Sequence, residues 1–226
     1  MLVQSCVAAL AALVFLAPAR ADDGFTPLFD GETLDGWKNP YDWGEAEVVD
    51  GEIQLKANKK FFLITEKEYD DFVFEGEVHL PKGKANSGFM FRANVKPNKV
   101  FGYQAEVDGS DRGWSGGLYD EGRRGWFASP KRGDKESEAT FKQRAGDAFK
   151  RDGWNTYRIA CQGDRLVIEV NGTVTTDVRD AVDAKGHLAI QHHGEKGAVY
   201  RFRNLRVRPL EPGETLPGAP GDGAAN

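Results

Sequence analysis

Along most of the chain, apolar and polar residues alternate with a period of two, the spacing of a strand that buries one face. Short runs of this kind follow one another: EAEVV, EIQLK, FFLIT, DFVFEGEVHL, SGFMFRAN, GYQAEVD, WNTYRIAC, RLVIEV, TVTTDV, HLAIQHH and AVYRFRNLRVR. Turn formers separate them, including Asp50-Gly51, Gly163-Asp164 and Asn171-Gly172, the last two framing a hairpin meander. No segment carries the apolar period of a three-turn amphipathic helix. So many short strands in one domain predict an all-β fold, a two-sheet antiparallel β-sandwich or a barrel, of which the jelly roll is the commonest large version.

The two ends break the pattern. MLVQSCVAALAALVFLAPARA has an apolar run too short to span a bilayer comfortably, followed by Ala19-Arg20-Ala21, which fits a small-residue cleavage site. Residues 1–21 are therefore expected to be a signal peptide rather than a membrane anchor, and the protein to be periplasmic or secreted, with no membrane contact after cleavage. The segment 209–226, PLEPGETLPGAPGDGAAN, is rich in Pro and Gly and is expected to be disordered. One domain, 22–208, lies between them.

Charge and cysteine content narrow the classes. The formal net charge is −5, and loss of Arg20 makes it more negative, which disfavours nucleic acid as a partner. Cys6 would leave with the signal. Cys161 then remains alone in a strand, so neither an internal disulfide nor a cysteine-based zinc site is expected.

Alternation also locates candidate chemistry. In YQAEVDGS it puts Tyr103, Ala105 and Val107 on one face and Gln104, Glu106 and Asp108 on the other. In NSGFMFRAN, Phe89 and Phe91 share a face, with Met90 and Arg92 opposite. In GHLAIQHHG, Leu188 and Ile190 point to the core and Gln191 and His193 away from it, with His192 on the core side or at the strand end. The polar faces combine into a patch of acids, amides, a guanidinium and imidazole. Bordered by aromatics, such a patch suits a sugar, whose hydroxyls need paired donors and acceptors. The long interruption from 109 to 150 holds Trp114, Tyr119 and Trp126, which either line a cleft or cover a sheet edge. A divalent metal on His193 and the carboxylates stays open, although no spacing matches an established metal motif.

In order along the chain, GFTPLFDGETLDGW, ANSGFMFR, GYQAEVD, SGGLYDEGRRGW, RDGWNTYRIACQGDRLVIEVNG, LAIQHHG and FRNLRVR closely resemble the 3-keto-disaccharide hydrolase domain family. That family is also described as 3-keto-glucoside 1,2-lyase or 3-keto-2-hydroxy-glucal hydratase domains. The resemblance spans Gly24 to Val207 and implies a concanavalin A-like jelly roll. It further implies a carbohydrate substrate, a 3-keto-glycoside supplied by a separate sugar 3-oxidoreductase. The ketone acidifies the proton on carbon 2, so a base can remove it and expel the substituent on carbon 1; water then re-adds to the 2-hydroxy-glucal.

On this basis Glu106 is the leading base, His193 its acid/base partner or a metal ligand, and Asp108 a further catalytic candidate. Arg92, Gln104, Tyr119, Asp120, Gln191, Trp114 and Trp126 are the expected substrate-binding residues. Relatives carry Glu and then Gln where this chain has Gln104 and then Glu106, which leaves the position of the base open. Two other readings stand beside this one. EVDGSD is superficially similar to the alternating carboxylates of laminarinase-type glycosidases, but the third carboxylate is missing. A non-catalytic carbohydrate-binding module would need only the fold and the aromatics.

Overall fold

The alternating runs all pair into strands of two antiparallel sheets in the computed structural model, which describes residues 23–211, 213, 214 and 216. In chain order the first strands are β1 (Thr26–Pro27), β2 (Trp37–Lys38), β3 (Glu45–Val49), β4 (Glu52–Lys56), β5 (Phe61–Tyr69), β6 (Phe72–His79), β7 (Asn86–Lys96), β8 (Lys99–Asp108) and β9 (Leu118–Glu121). A helix, α1 (Lys135–Ala145), precedes β10 (Asn155–Gln162), β11 (Arg165–Val170), β12 (Thr173–Arg179), β13 (Gly186–His192) and β14 (Val199–Pro209). One sheet has the order β12-β11-β10-β6-β14-β4-β3, with β1 also on β14; the other runs β2-β5-β13-β7-β8-β9.

The core is the interdigitated apolar layer between the sheets. Phe89 of one sheet packs against Phe74, Tyr157 and Phe202 of the other at ring separations of 5.6, 5.1 and 5.7 Å. Each such ring stabilises the fold by about 1.5–3 kcal/mol through the apolar surface it takes out of water. Tyr157 also crosses the core with its hydroxyl, which donates to the main-chain carbonyl of Glu106 at 2.9 Å. Burial drives that phenol well above its ordinary value.

The tight turns follow their residues. Asp50-Gly51 and Asn171-Gly172 join neighbouring antiparallel strands with both residues at positive φ, 51° and 76°, then 49° and 85°. Such hairpin turns select Asp-Gly and Asn-Gly because the first residue tolerates the left-handed region and the second has no Cβ.

Where strict alternation fails, a bulge is responsible. In β14 the buried positions change parity, from Tyr200 and Phe202 to Leu205 and Val207, across Asn204 at φ 53° and a register shift between Arg203 and Arg206. A second bulge lies in β7, with Arg92 at φ 46° and the register shifting between Phe91 and Asn94.

Helix α1 departs from the reading of the long interruption as free of helix. Of its residues only Phe141 and Ala145, one turn apart, are buried, which is too narrow an apolar stripe to register as a period. Its start is set by polar capping: Asp134 accepts from Ser137 N at 3.1 Å, and Glu138 accepts from Gly133 N at 2.9 Å. Arg144 ties it to β12 through the Thr175 carbonyl at 2.9 Å.

Residues 1–21, expected as a signal peptide, lie outside the described residues, as do 217–226. Of the segment expected to be disordered, Leu210 and Leu216 pack beside Val73 and Ala160. Glu214 is also bound by Arg208 at 2.7 Å. No helix among the described residues is long and apolar enough to cross a membrane.

Candidate active site

The alternation read in β8 holds: Tyr103, Ala105 and Val107 enter the core, and Gln104, Glu106 and Asp108 leave from the outer face of the six-stranded sheet. There they floor a cleft of about 350 Å³. Asn86 of β7, Gln191 of β13, His193 just beyond it and Tyr119 of β9 also line it. Arg112, from the segment between β8 and β9, and Trp126, beyond β9, complete the wall.

A glycine shapes the floor. Gly88 pairs opposite Glu106, and a Cβ on it would come within 2.4 Å of the Gln104 Cδ. The glutamine amide therefore lies across the space that a side chain at residue 88 would fill. From there its Nε2 donates to Glu106 Oε2 at 3.0 Å.

Glu106 is 4% exposed and accepts three side-chain bonds. Asn86 Nδ2 at 2.7 Å and Arg112 Nη2 at 3.0 Å both reach Oε1. Burial raises its pKa above the ordinary 4.5, against the pull of Asn86, Arg112 and Gln104. Asp108 goes the other way. Burial raises it, but Ser110 N at 3.0 Å and Arg112 Nε at 2.8 Å outweigh that and hold it below the ordinary 3.8. Two carboxylates on one strand are thus pushed in opposite directions, with Glu106 the more basic of the two.

Arg112, which spans both, was not singled out in the sequence. Its guanidinium lies over the rings of Trp114 and Trp126, at 4.6 and 5.1 Å. Nε and Nη2 serve Asp108 and Glu106, leaving Nη1 without an acceptor among the described residues. The available signal was its position, four residues beyond Asp108 in a Gly- and Ser-containing turn that leads to a tryptophan.

Two acceptors in the floor lack partners among the described residues. Gln104 Oε1 and Gln191 Oε1 are buried there without a hydrogen bond. The Gln104 orientation is fixed because a carboxylate only accepts when ionised, so the amide must turn its NH2 toward Glu106. Buried unpaired acceptors are costly, and hydroxyl donors are the groups that would relieve them.

At the other side of the cleft, His193 Nδ1 lies 2.9 Å from Glu195 Oε1, and Glu195 Oε2 accepts from the Tyr200 hydroxyl at 2.5 Å. His192 falls on the core side, as read. Its ring packs 4.6 Å from that of Tyr200, and burial lowers its pKa.

The remaining expected residues divide. Tyr119 and Trp126 line the cleft, while Trp114 lies behind Trp126 at 4.7 Å in a small cluster with Phe141 and Ala145. The aromatics thus do both jobs that were read for them. Asp120 is fully buried on the other side of β9, held by Arg123 Nε at 2.7 Å and by Arg124. It braces the wall and does not line the cleft.

Arg92 is a correction. The β7 bulge breaks the alternation that grouped it with the cleft residues, and its guanidinium is buried instead. It donates to Asp70 O at 2.8 Å, Gly163 O at 2.7 Å and Asp71 Oδ1 at 2.9 Å.

Among the described residues, no group of three or more His, Cys, Asp and Glu side chains is placed to hold a metal ion. Glu106 and Asp108 share the Arg112 guanidinium, a fixed cation where a metal would need to bridge them. These residues do not fit a bound metal.

Solved structures share the fold. A "putative glycosyl hydrolase" from Parabacteroides distasonis is 17% identical, with a TM-score of 0.58 over 83% of this chain and 94% of that one. The carbohydrate-binding module CBM66 from Bacillus subtilis is 17% identical, with a TM-score of 0.53 over 76% of this chain and 95% of that one. The exoplasmic/lumenal domain of VIP36, in a form bound to Ca2+ and Man3GlcNAc, is 8% identical, with a TM-score of 0.53 over 83% and 89%. No curated protein sequence matches significantly. The profile of the 3-keto-alpha-glucoside-1,2-lyase-like domain matches residues 24–208, which span the sandwich and every residue of the cleft. The chain belongs to that family of lyase-like domains.

Proposed function

We propose that the chain is an exported, periplasmic or secreted enzyme that cleaves 3-keto-glycosides by elimination across carbons 1 and 2, followed by hydration. The observation that carries this reading is Glu106, a buried carboxylate with raised basicity at the floor of a polar cleft, beside a fixed guanidinium. A base of raised pKa is matched to a carbon acid beside a ketone better than an ordinary carboxylate is.

The chemistry follows from the parts. Glu106 takes the proton from carbon 2, and the negative charge passes to the ketone oxygen, where the unengaged Arg112 Nη1 stabilises it. The C1–O bond then breaks with its electron pair going to the departing oxygen, which takes a proton from His193. Hydration reverses the roles: water adds to carbon 1 while His193 accepts its proton, and carbon 2 regains the proton held by Glu106. Gln104 and Gln191 line the floor against which the ring lies. A separate sugar 3-oxidoreductase supplies the ketone.

The laminarinase-type alternative is weaker, because Glu106 and Asp108 are both clamped to Arg112 and neither stands free as a nucleophile. The test is incubation with native and enzymatically 3-oxidised disaccharides, with and without chelator, products being read by mass spectrometry. Cleavage of the oxidised sugars alone is expected. Cleavage of native sugars points to a glycosidase, and binding without turnover to a carbohydrate-binding module. Glu106→Gln is expected to lower turnover by about 1,000-fold or more while leaving Tm within a few degrees. An active, normally folded variant would sink the base assignment.

A further inference from the structure

We propose that Glu195 is a positioning residue for His193, fixing the imidazole with its proton on Nδ1 so that Nε2 is the nitrogen that exchanges protons with the leaving oxygen and with water. The inference rests on the reading that 3-keto-glycosides turn over in this cleft, and it adds a residue to which the sequence assigned no role.

The geometry builds outward from the core. Tyr200 of β14 is fully buried, its ring edge-on to His192 at 4.6 Å. Its hydroxyl donates to Glu195 Oε2 at 2.5 Å, which anchors a carboxylate in the turn between β13 and β14. The other oxygen, Oε1, lies 2.9 Å from His193 Nδ1. The turn is docked as well: Gly194 sits at φ 116°, and a Cβ there would come within 2.8 Å of the Lys60 main-chain nitrogen. Glu195 and His193 therefore flank a residue pressed against the start of β5.

Charge settles the tautomer. Burial opposes ionisation of Glu195, but the donors Tyr200 and His193 outweigh it and hold the carboxyl below its ordinary value. An ionised carboxylate only accepts, so the ring nitrogen facing it must carry the hydrogen. His193 Nε2 is then the lone-pair nitrogen of the neutral ring and has no partner among the described residues.

The proton count closes. The imidazolium carries protons on both nitrogens and gives the one on Nε2 to the departing oxygen as the C1–O bond breaks. The neutral ring keeps the Nδ1 proton on Glu195 and takes one from water at Nε2 as the new C1–O bond forms. Glu195 itself neither gains nor loses a proton.

The test pairs a spectroscopic with a kinetic reading on the full chain. In protein with 15N-labelled histidine, the neutral His193 ring is expected to carry its proton on Nδ1. Glu195→Ala is expected to move that proton predominantly to Nε2. It is also expected to lower kcat on 3-keto-disaccharides by about 100-fold, the scale of a misdirected general acid, with KM within about twofold. Glu195→Gln can turn its oxygen to accept from Nδ1 while its NH2 donates to the Tyr200 hydroxyl oxygen, so it is expected to retain the tautomer and recover part of kcat. An unchanged tautomer in Glu195→Ala, or a kcat within twofold of the parent, overturns the proposal. If the parent chain turns over no 3-keto-glycoside, the functional reading falls and takes the proton-exchange role with it, while the tautomer shift still decides whether Glu195 orients the ring.

Discussion

The two outer faces of the sandwich carry similar side chains in different states. On the eight-stranded sheet, arginines of β14 stand opposite glutamates of neighbouring strands: Arg201 meets Glu52 at 2.6 Å, Arg203 meets Glu77 at 2.7 Å and Arg206 meets Glu75 at 2.6 Å. Arg201 and Arg203 each hold one glutamate, Arg206 also meets Asp23 and Glu75 also meets Arg158, and the guanidinium groups stay partly open to water, the arrangement of a solvated face. On the six-stranded sheet Glu106 and Asp108 are both buried under one arginine, and two buried amide oxygens find no partner among the described residues. A polar strand face marks a site when it is buried and left incomplete; polarity alone does not distinguish the two sheets.

Three substitutions test this contrast. Arg92→Met removes a buried guanidinium that serves only main-chain carbonyls and Asp71. A stability loss of about 3 kcal/mol is expected by chemical denaturation, with turnover of the folded fraction unchanged. A selective loss of activity instead would return Arg92 to the cleft.

Arg112→Ala acts on function. Turnover of 3-keto-disaccharides is expected to fall by about 100-fold, as when a donor to a developing oxyanion is removed. The pH profile sharpens the reading. Arg112 favours the ionised form of Glu106, so its removal raises an already raised pKa. The base is then ionised only at higher pH, and the acid limb of kcat/KM moves upward. The same sign governs stability. Because the folded pKa of Glu106 lies above the unfolded one, the folded chain holds more protons between them, and the Glu106 contribution to stability declines as pH rises through that window. The smallest effect belongs to the other face. Arg203→Ala is expected to change stability by about 0.5 kcal/mol and activity not at all.

Much of this is legible in the sequence. Period-two runs placed the main strands because one face of each meets the core, and β8 kept its parity, so Gln104, Glu106 and Asp108 reached one cleft together. Arg92 was misread because a bulge is a backbone event: a non-glycine residue at φ 46° leaves no mark on the polarity pattern. Arg112 was missed because its role depends on a turn folding back over its own strand and on two tryptophans that hold it, neither of which has a period. Helix α1 was missed because it buries two side chains, and Glu195 because a glutamate in a turn looks solvated until Tyr200 is seen beneath it.

The hydroxyl that Tyr157 sends through the core to the Glu106 carbonyl has a consequence for how such a site can diversify. The carboxylate is carried by a strand pinned from both sides, whereas Tyr119 reaches the cleft from the edge strand β9. Exchanges at Tyr119 can reshape the space offered to a leaving group without moving the atom that removes the proton. Room for a leaving group can therefore drift along β9, while the segment from Asp108 to Arg112 is held to its sequence by the carboxylates that it serves.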